Sequence, residues 1–151
     1  MLEFAHALTG GIIAYKIPSP AVSLPLAFFS HFLLDLLPHW NPSLTKEKQK
    51  FHQIRPKIFF FVLADCLFGL FLGLFLTFKS LPSTTKALTV ISGCFLGILP
   101  DLIESPYYFL NLNRPFFQKI IDFQSKHQFN VPPFWGILLQ ILYLIFLLSI
   151  I

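Results

Sequence analysis

Apolar segments occupy most of this chain and limit what it can fold into. The sequence contains 20 Phe residues, and only 12% of its residues are charged. So few charged residues cannot provide the polar surface that a water-soluble globule needs. The apolar segments are residues 2–15, 21–37, 58–78, 87–103 and 134–151. We therefore expect an all-α, integral membrane bundle of about five apolar helices that forms a single domain over residues 1–151.

The lengths of the segments predict how each one meets the membrane. A helix needs about 20 residues to cross a hydrocarbon core about 30 Å thick. The last three segments are long enough to span, whereas the first two are shorter. Pro18, Pro20 and Pro25 fall between and within those two. Because proline removes a backbone donor and bends or ends a helix, we expect a hairpin of short or tilted helices at the start of the chain.

The basic residues predict the orientation. Residues 41–57 contain five Lys or Arg against a single Glu47, and residues 105–133 contain Arg114, Lys119 and Lys126. Lys and Arg are enriched in cytoplasmic loops, so we expect both loops inside a bacterial cytoplasmic membrane, with the N-terminus inside and the C-terminus outside. Residues 116–127 form an amphipathic segment on that side. The basic residues either only fix orientation and contact anionic lipid, or also attract phosphate-bearing substrates.

Ionisable residues gather in the predicted cytoplasmic halves of the apolar segments. His31 and Asp35 are one helical turn apart and share a face, and His39 follows after another turn. The apolar stretches holding Asp35, Asp65 and Asp101 contain no Lys or Arg that could neutralise them. An ionised Asp inside a membrane helix costs about 2.5 to 3.5 kcal/mol. Protonation or a divalent cation would remove that cost, and the neighbouring histidines favour the cation.

Small residues recur every fourth position in the third and fourth segments, a pattern that lets membrane helices approach closely. One antiparallel register would place three pairs opposite each other: Asp65 and Asp101, Gly69 and Gly97, Gly73 and Gly93. The alternative is that the glycines only pack helices and that each Asp bonds a backbone group.

Mixed histidine and carboxylate ligands suit zinc, manganese or iron better than calcium or magnesium, and zinc is the first expectation. The expected metal ligands are His6, His31, Asp35, His39, Asp65, Asp101 and His127. Seven ligands exceed the four of a closed zinc site, so either two or more ions bind or some residues only support the others. For His6 and His127 the alternative is a hydrogen bond to a backbone carbonyl. Asp65, Asp101 and Glu104 are alternatives for the proton acceptor of a reaction.

Three short stretches carry a family resemblance. Residues 5–10, 30–40 and 99–102 read AHALTG, SHFLLDLLPHW and LPDL. Together they resemble the small bacterial membrane-bound metal-dependent hydrolases and, more distantly, the all-helical zinc-dependent phospholipase C and single-strand nuclease group. The chain lacks the Pro-Asp-x-Asp-His run and the His-Arg-Gly-x-x-His-Ser motif of the better-known branch. The resemblance implies a metal-dependent hydrolase with ligands at these positions: His6, His31, Asp35, Asp101, and also Asp65 and His127.

The expected function is therefore a membrane-embedded, metal-dependent hydrolase. We expect its substrates to be phosphoesters of amphiphiles or lipids at the inner leaflet, and its partners to be membrane lipids rather than nucleic acid. Two other functions stay open on the sequence alone. One is metal or proton transport, since ionisable residues in membrane helices also mark ion pathways. The other is a scaffold with a buried His and Asp network.

Overall fold

Seven α-helices and no β-strand make up the computed structural model, which describes residues 1–151. The helices are α1 (Glu3–Lys16), α2 (Pro20–Asp35), α3 (Leu44–Phe51), α4 (Pro56–Lys79), α5 (Thr84–Phe109), α6 (Pro115–His127) and α7 (Pro133–Ser149). The all-α prediction is confirmed. The five apolar segments correspond to α1, α2, α4, α5 and α7, and the amphipathic segment corresponds to α6.

Helix α3 was not predicted, because it lies in the basic loop. Its ends nevertheless follow ordinary capping chemistry. The Ser43 side chain accepts a hydrogen bond from the backbone N–H of Lys46, and His52 ends the helix in the left-handed conformation with φ 58°. Two helices, α4 with 24 residues and α5 with 26, are long and apolar enough to cross a membrane. Helices α2 and α7 are shorter apolar helices.

Helix α1 is the centre of the bundle. Ten of its 14 residues are buried, and it packs between α4, α5 and α2. A Cβ atom built on Gly93 of α5 would lie 2.6 Å from both the carbonyl oxygen of Gly10 and the Cβ of Ala14. A Cβ on Gly97 would meet the carbonyl of His6. The two helix backbones therefore touch, which only glycine permits here.

This packing corrects the predicted pairing of α4 with α5. Gly93 and Gly97 contact α1, not the glycines of α4, and Gly69 faces the backbone of Phe4. Only Gly73 still faces α5, where a Cβ would lie 3.2 Å from the Sγ of Cys94. The physical reason is that α1 itself carries small residues facing α5, so it fits into the groove that the prediction assigned to α4.

Long-range contacts place the polar residues at one end of the bundle. The backbone N–H of Leu2 donates to Oε1 of Gln140 in α7 at 2.8 Å, and the amide of that side chain donates to the carbonyl of Trp40 at 2.8 Å. At the opposite end, Nζ of Lys79 donates to the carbonyl of Ile151. The start of α1, the end of α2 and the start of α7 therefore meet at one end.

Candidate metal centre

His31 projects from α2 into the space between α1 and α5. Its Nδ1 lies 2.8 Å from the carbonyl oxygen of Gly97, and an N–H there would donate to that carbonyl. A neutral imidazole carries hydrogen on one nitrogen only, so Nε2 would then hold a lone pair. That Nε2 lies 3.6 Å from Oδ2 of Asp35 and 3.5 Å from Oδ1 of Asp101. Oxygen atoms that cannot donate surround this nitrogen, so it needs either a second proton or a cation.

His39 repeats the same pattern after the end of α2. Its Nδ1 lies 2.8 Å from the carbonyl of Leu37, whereas its Nε2 has no hydrogen-bond partner and lies 3.7 Å from Oδ1 of Asp35. Burial lowers the pKa of His39 from its ordinary value, which favours the neutral ring. A neutral ring that donates through Nδ1 presents a lone pair at Nε2, the form in which histidine binds metals.

His6 is the least satisfied of the three histidines. It is 0% exposed, and neither of its ring nitrogens has a hydrogen-bond partner. Its Nε2 lies 3.4 Å from Oδ1 of Asp35, and its ring stacks on that of His31 with centroids 4.0 Å apart. Leaving a buried polar atom unpaired costs about 1 to 3 kcal/mol, so the two nitrogens of His6 are candidate ligand atoms.

The separations between these nitrogens and oxygens fit a shared ion. Zinc binds histidine nitrogen and carboxylate oxygen at about 2.0 to 2.2 Å, which puts neighbouring ligands of a tetrahedral site roughly 3.3 to 3.6 Å apart. The four separations between histidine nitrogens and carboxylate oxygens are 3.4, 3.5, 3.6 and 3.7 Å. The candidate ligand atoms of His6, His31 and Asp101 all lie within 4.8 Å of one another. These three residues could hold a metal ion.

Asp35 lies at the centre of the histidines. Its carboxylate accepts from the Met1 amino group and lies close to all three rings. The backbone helps to fix it, because the N–H of Phe129 donates to the Asp35 carbonyl at 2.9 Å. Asp35 is 3% exposed, whereas the Asp101 side chain is 26% exposed. Asp101 therefore connects the buried histidines with the surroundings.

Asp65 takes a different position from the one expected of a ligand. Its two carboxylate oxygens accept the backbone N–H groups of Glu3 at 2.7 Å and Phe4 at 3.2 Å. The first amides of a helix have no partner within the helix, and Leu2 at the N-cap of α1 supplies no side-chain acceptor. Asp65 thus caps α1 from α4, as in the alternative in which each Asp bonds a backbone group.

His127 and Glu104 also lie outside the histidine cluster. His127 is exposed, and its Nδ1 lies 2.7 Å from the carbonyl of Phe123 in the preceding turn of α6. Glu104 is buried, and its Oε1 accepts from Nε2 of Gln124 at 2.6 Å. Oε1 of the same glutamine lies 3.1 Å from Nε2 of His31. Gln124 therefore links Glu104 to the histidine that contacts both aspartates.

Two residues at this site were missed from the sequence. Glu3 lines the same cavity as Asp101, and Gln124 is 2% exposed between α5 and α2. A helical-spacing signal exists for Glu3, which precedes His6 by three residues on the same face of α1. No such signal marks Gln124, because the histidine three residues after it, His127, is exposed outside the cluster.

A cavity of about 860 Å³ opens next to the cluster. Five carboxylates line it: Glu3, Glu47, Asp65, Asp101 and Glu104. Residues 40–47, α4 and α5 supply most of the remaining wall, and Lys46 contributes a positive charge. The three histidines do not line the cavity. They lie behind Asp101, which is the residue shared by the cluster and the cavity.

Comparison of the chain with protein-family models, with curated proteins and with solved structures gives no match. The interpretation of the site therefore depends on its own geometry.

Proposed function

We propose that this protein is an integral membrane, metal-dependent hydrolase of the same type as the small bacterial membrane-bound hydrolases that its motifs resemble. Its metal is zinc or a similar divalent ion, with manganese and iron as alternatives, and a second ion is compatible with the number of carboxylates. Its substrates are phosphoesters of amphiphiles or lipids at the cytoplasmic leaflet.

The exposure of α4 supports the membrane part of the proposal. Only 17% of its most apolar window is buried inside the bundle, although the mean hydropathy of that window is 2.5. The core helix of a soluble protein is apolar because it is buried, whereas α4 exposes Phe60, Phe71 and Phe78, each by more than 60%. Apolar side chains exposed around most of a long helix are stable in lipid and not in water.

One observation carries the metal part of the proposal. Nε2 atoms of three fully buried histidines, His6, His31 and His39, converge on Asp35 at 3.4 to 3.7 Å, too far for good hydrogen bonds. Ligand atoms of His6 and His31 also lie with one of Asp101 within 4.8 Å of one another, which suits ligands of one ion. In two of the three histidines, Nδ1 lies at hydrogen-bond distance from a backbone carbonyl, which fixes the ring as it does in known metal sites. A scaffold network would be expected to satisfy its own nitrogens. Here three of the six are unpartnered.

The cavity supports a hydrolytic reaction. A bound divalent ion supplies Lewis acidity and makes hydroxide available from water near neutral pH. Asp101 brings the ligand set to the cavity wall, and Glu104 is placed to take a proton, being linked to His31 through the Gln124 amide. Asp65 acts by holding the first turn of α1, and through it Glu3 and His6. Lys46 places one positive charge on the cavity wall, beside which the anionic group of a substrate would lie once a cation offsets the carboxylates.

Elemental analysis of the purified wild type beside His31→Ala and Asp35→Ala tests the proposal. We expect close to one zinc, manganese or iron per chain or more in the wild type, and little in either variant. His127→Ala is the matched control, because it removes a histidine outside the cluster. A wild type that stays free of metal after purification in metal-replete, chelator-free buffer contradicts the proposal. If metal is present, release of phosphate from synthetic phosphoester amphiphiles tests the reaction.

A further inference from the structure

The cavity has one wall that the metal centre does not explain. On α4 this wall contains Ile58, Phe61, Val62, Asp65 and Cys66, and on α5 it contains Ile98, Asp101, Leu102, Ser105 and Phe109. These positions are separated mainly by three or four residues, so each set lies on one face of its helix. Apart from the two aspartates and Ser105, these residues are apolar, and Glu104 and Tyr108 of α5 line the adjacent part of the cavity. The cavity therefore combines a strip of apolar surface with a carboxylate centre.

Helices α4 and α5 contact each other above and below this strip. Near the middle of the bundle Gly73 faces Cys94, and near the polar end the rings of Phe59 and Phe109 lie 5.8 Å apart. The contacts on α4 are 14 residues apart, which corresponds to roughly 21 Å of helix at 1.5 Å per residue. Between them, Cys66 and Leu102 line the cavity and are both exposed. An opening of the strip towards the outside of the bundle, between the two helices, is compatible with this exposure.

We propose that this strip is a lateral entrance, and that the cavity takes a single-chain alkyl phosphate ester directly from the bilayer. The alkyl chain lies between α4 and α5 against Val62, Ile98 and Leu102, and the phosphate lies at Asp101. The position of the phosphate depends on the proposed function, since the carboxylates at that end repel an anion unless a cation neutralises them. An alkyl chain that enters from the lipid does not pass residues 41–47, which form the opposite, polar wall of the cavity.

The opposite wall suits a headgroup. It is formed by residues 41–47, which bring Asn41, Ser43, Thr45, Lys46 and Glu47 to the cavity, and Glu47 is paired with Arg55. This roof is fastened to α5, because the hydroxyls of Thr45 and Tyr108 lie 2.8 Å apart. The volume, about 860 Å³, is within the usual range of roughly 300 to 1,000 Å³ for small-molecule sites. Polar groups on one side and apolar groups on the other are the recognition chemistry of an amphiphile.

Photolabelling tests the entrance. The probe is dodecyl phosphate with a diazirine on an alkyl carbon close to the ester oxygen, added to the full-length protein in phosphatidylcholine nanodiscs, with peptides identified by mass spectrometry. We expect labelling near Val62 and Leu102 that unlabelled dodecyl phosphate displaces and that inorganic phosphate does not. Val62→Trp should weaken displaceable labelling by about tenfold, equivalent to 1.4 kcal/mol of binding. Leu102→Trp should act likewise from the other helix. Leu67→Trp, at a 56% exposed position outside the cavity wall, is the control.

Metal content measured on the same samples separates the two proposals. Metal without displaceable labelling at these positions overturns the lateral entrance and leaves the metal centre intact. Displaceable labelling in a protein without metal supports the entrance and overturns the hydrolase. Labelling that inorganic phosphate also displaces, or that falls equally in Val62→Trp and Leu67→Trp, overturns the entrance as well.

Discussion

Substitution of Gly93 by alanine should separate α1 from α5 and thereby weaken the proposed metal centre. The new Cβ would lie 2.6 Å from both the carbonyl oxygen of Gly10 and the Cβ of Ala14, whereas ordinary contacts begin at 3.4 Å. The helices must therefore move apart by about 0.8 Å, because both obstacles are fixed to the α1 backbone. His6 lies one turn before Gly10 on α1, so it moves with the helix.

The size of the effect follows from two estimates. Overpacking of this kind costs about 1 to 3 kcal/mol in stability. Metal–ligand distances tolerate only about 0.2 Å, so a shift of His6 by several times that amount removes it from the ligand set. If a comparable energy is lost from metal binding, the affinity falls roughly 5- to 150-fold.

Two assays measure this on the detergent-purified protein. Circular dichroism gives the thermal midpoint, which should fall, and competition with a chelator of known affinity gives the metal dissociation constant. Gly73→Ala is the matched control. Its Cβ would lie 3.2 Å from the Sγ of Cys94, a side-chain atom that can yield, and it faces α5 rather than α1. A Gly93→Ala variant with the thermal midpoint and metal dissociation constant of the wild type would contradict this role of the α1–α5 contact. Equal changes of both quantities in Gly73→Ala would contradict it as well.

Three further substitutions distinguish the roles of residues around the centre. Asp65→Ala should destabilise the protein by about 0.5 to 2 kcal/mol, because α1 loses its cap. Asp65→Asn should retain much of that stability through its remaining side-chain oxygen. Equal loss of stability in the two variants would contradict a capping role. Gln124→Ala should weaken metal binding about 10- to 100-fold, as loss of a group supporting a ligand usually does, and unchanged affinity would exclude it from the site. His127→Ala should leave metal content and thermal midpoint unchanged. A loss of metal in this variant would show that His127 is a ligand.

The sequence predicted the helices well because each apolar segment is long and bounded by polar residues or proline. Helix α3 was missed because it is short and has only two apolar residues, Leu44 and Phe51, so only its Ser43 cap marked it. The pairing of glycines was wrong for a different reason. Glycine spacing shows that a helix face carries small residues, but it does not identify the helix that packs against that face. On α5 the packing helix is α1, which the prediction did not consider.

The candidate site was predictable to the extent that helical spacing determines direction. His31 and Asp35 lie one turn apart and meet in the cluster as expected. Nε2 of His31 and Oδ2 of Asp35 are nevertheless 3.6 Å apart, too far for a good hydrogen bond. Asp65 shows what helical spacing cannot predict. Its place in an apolar segment indicated a partner, but spacing within α4 cannot show that the partner is the amide end of α1. Contacts between helices distant in sequence are set by packing, and a single sequence does not display them.

Gly97 shows why the close helix packing and the polar cluster belong together. Its missing side chain lets the carbonyl of His6 approach α5, and its own carbonyl lies 2.8 Å from Nδ1 of His31 on α2. One residue thus sets the positions of two histidines from two different helices by backbone contacts alone. Backbone groups are a suitable support in apolar surroundings, because they carry no net charge that the bundle must neutralise. The Met1 amino group pairs with Asp35, so the charge left over belongs to Asp101, and the proposed cation lies where Asp101, His31 and the unpartnered nitrogens of His6 converge.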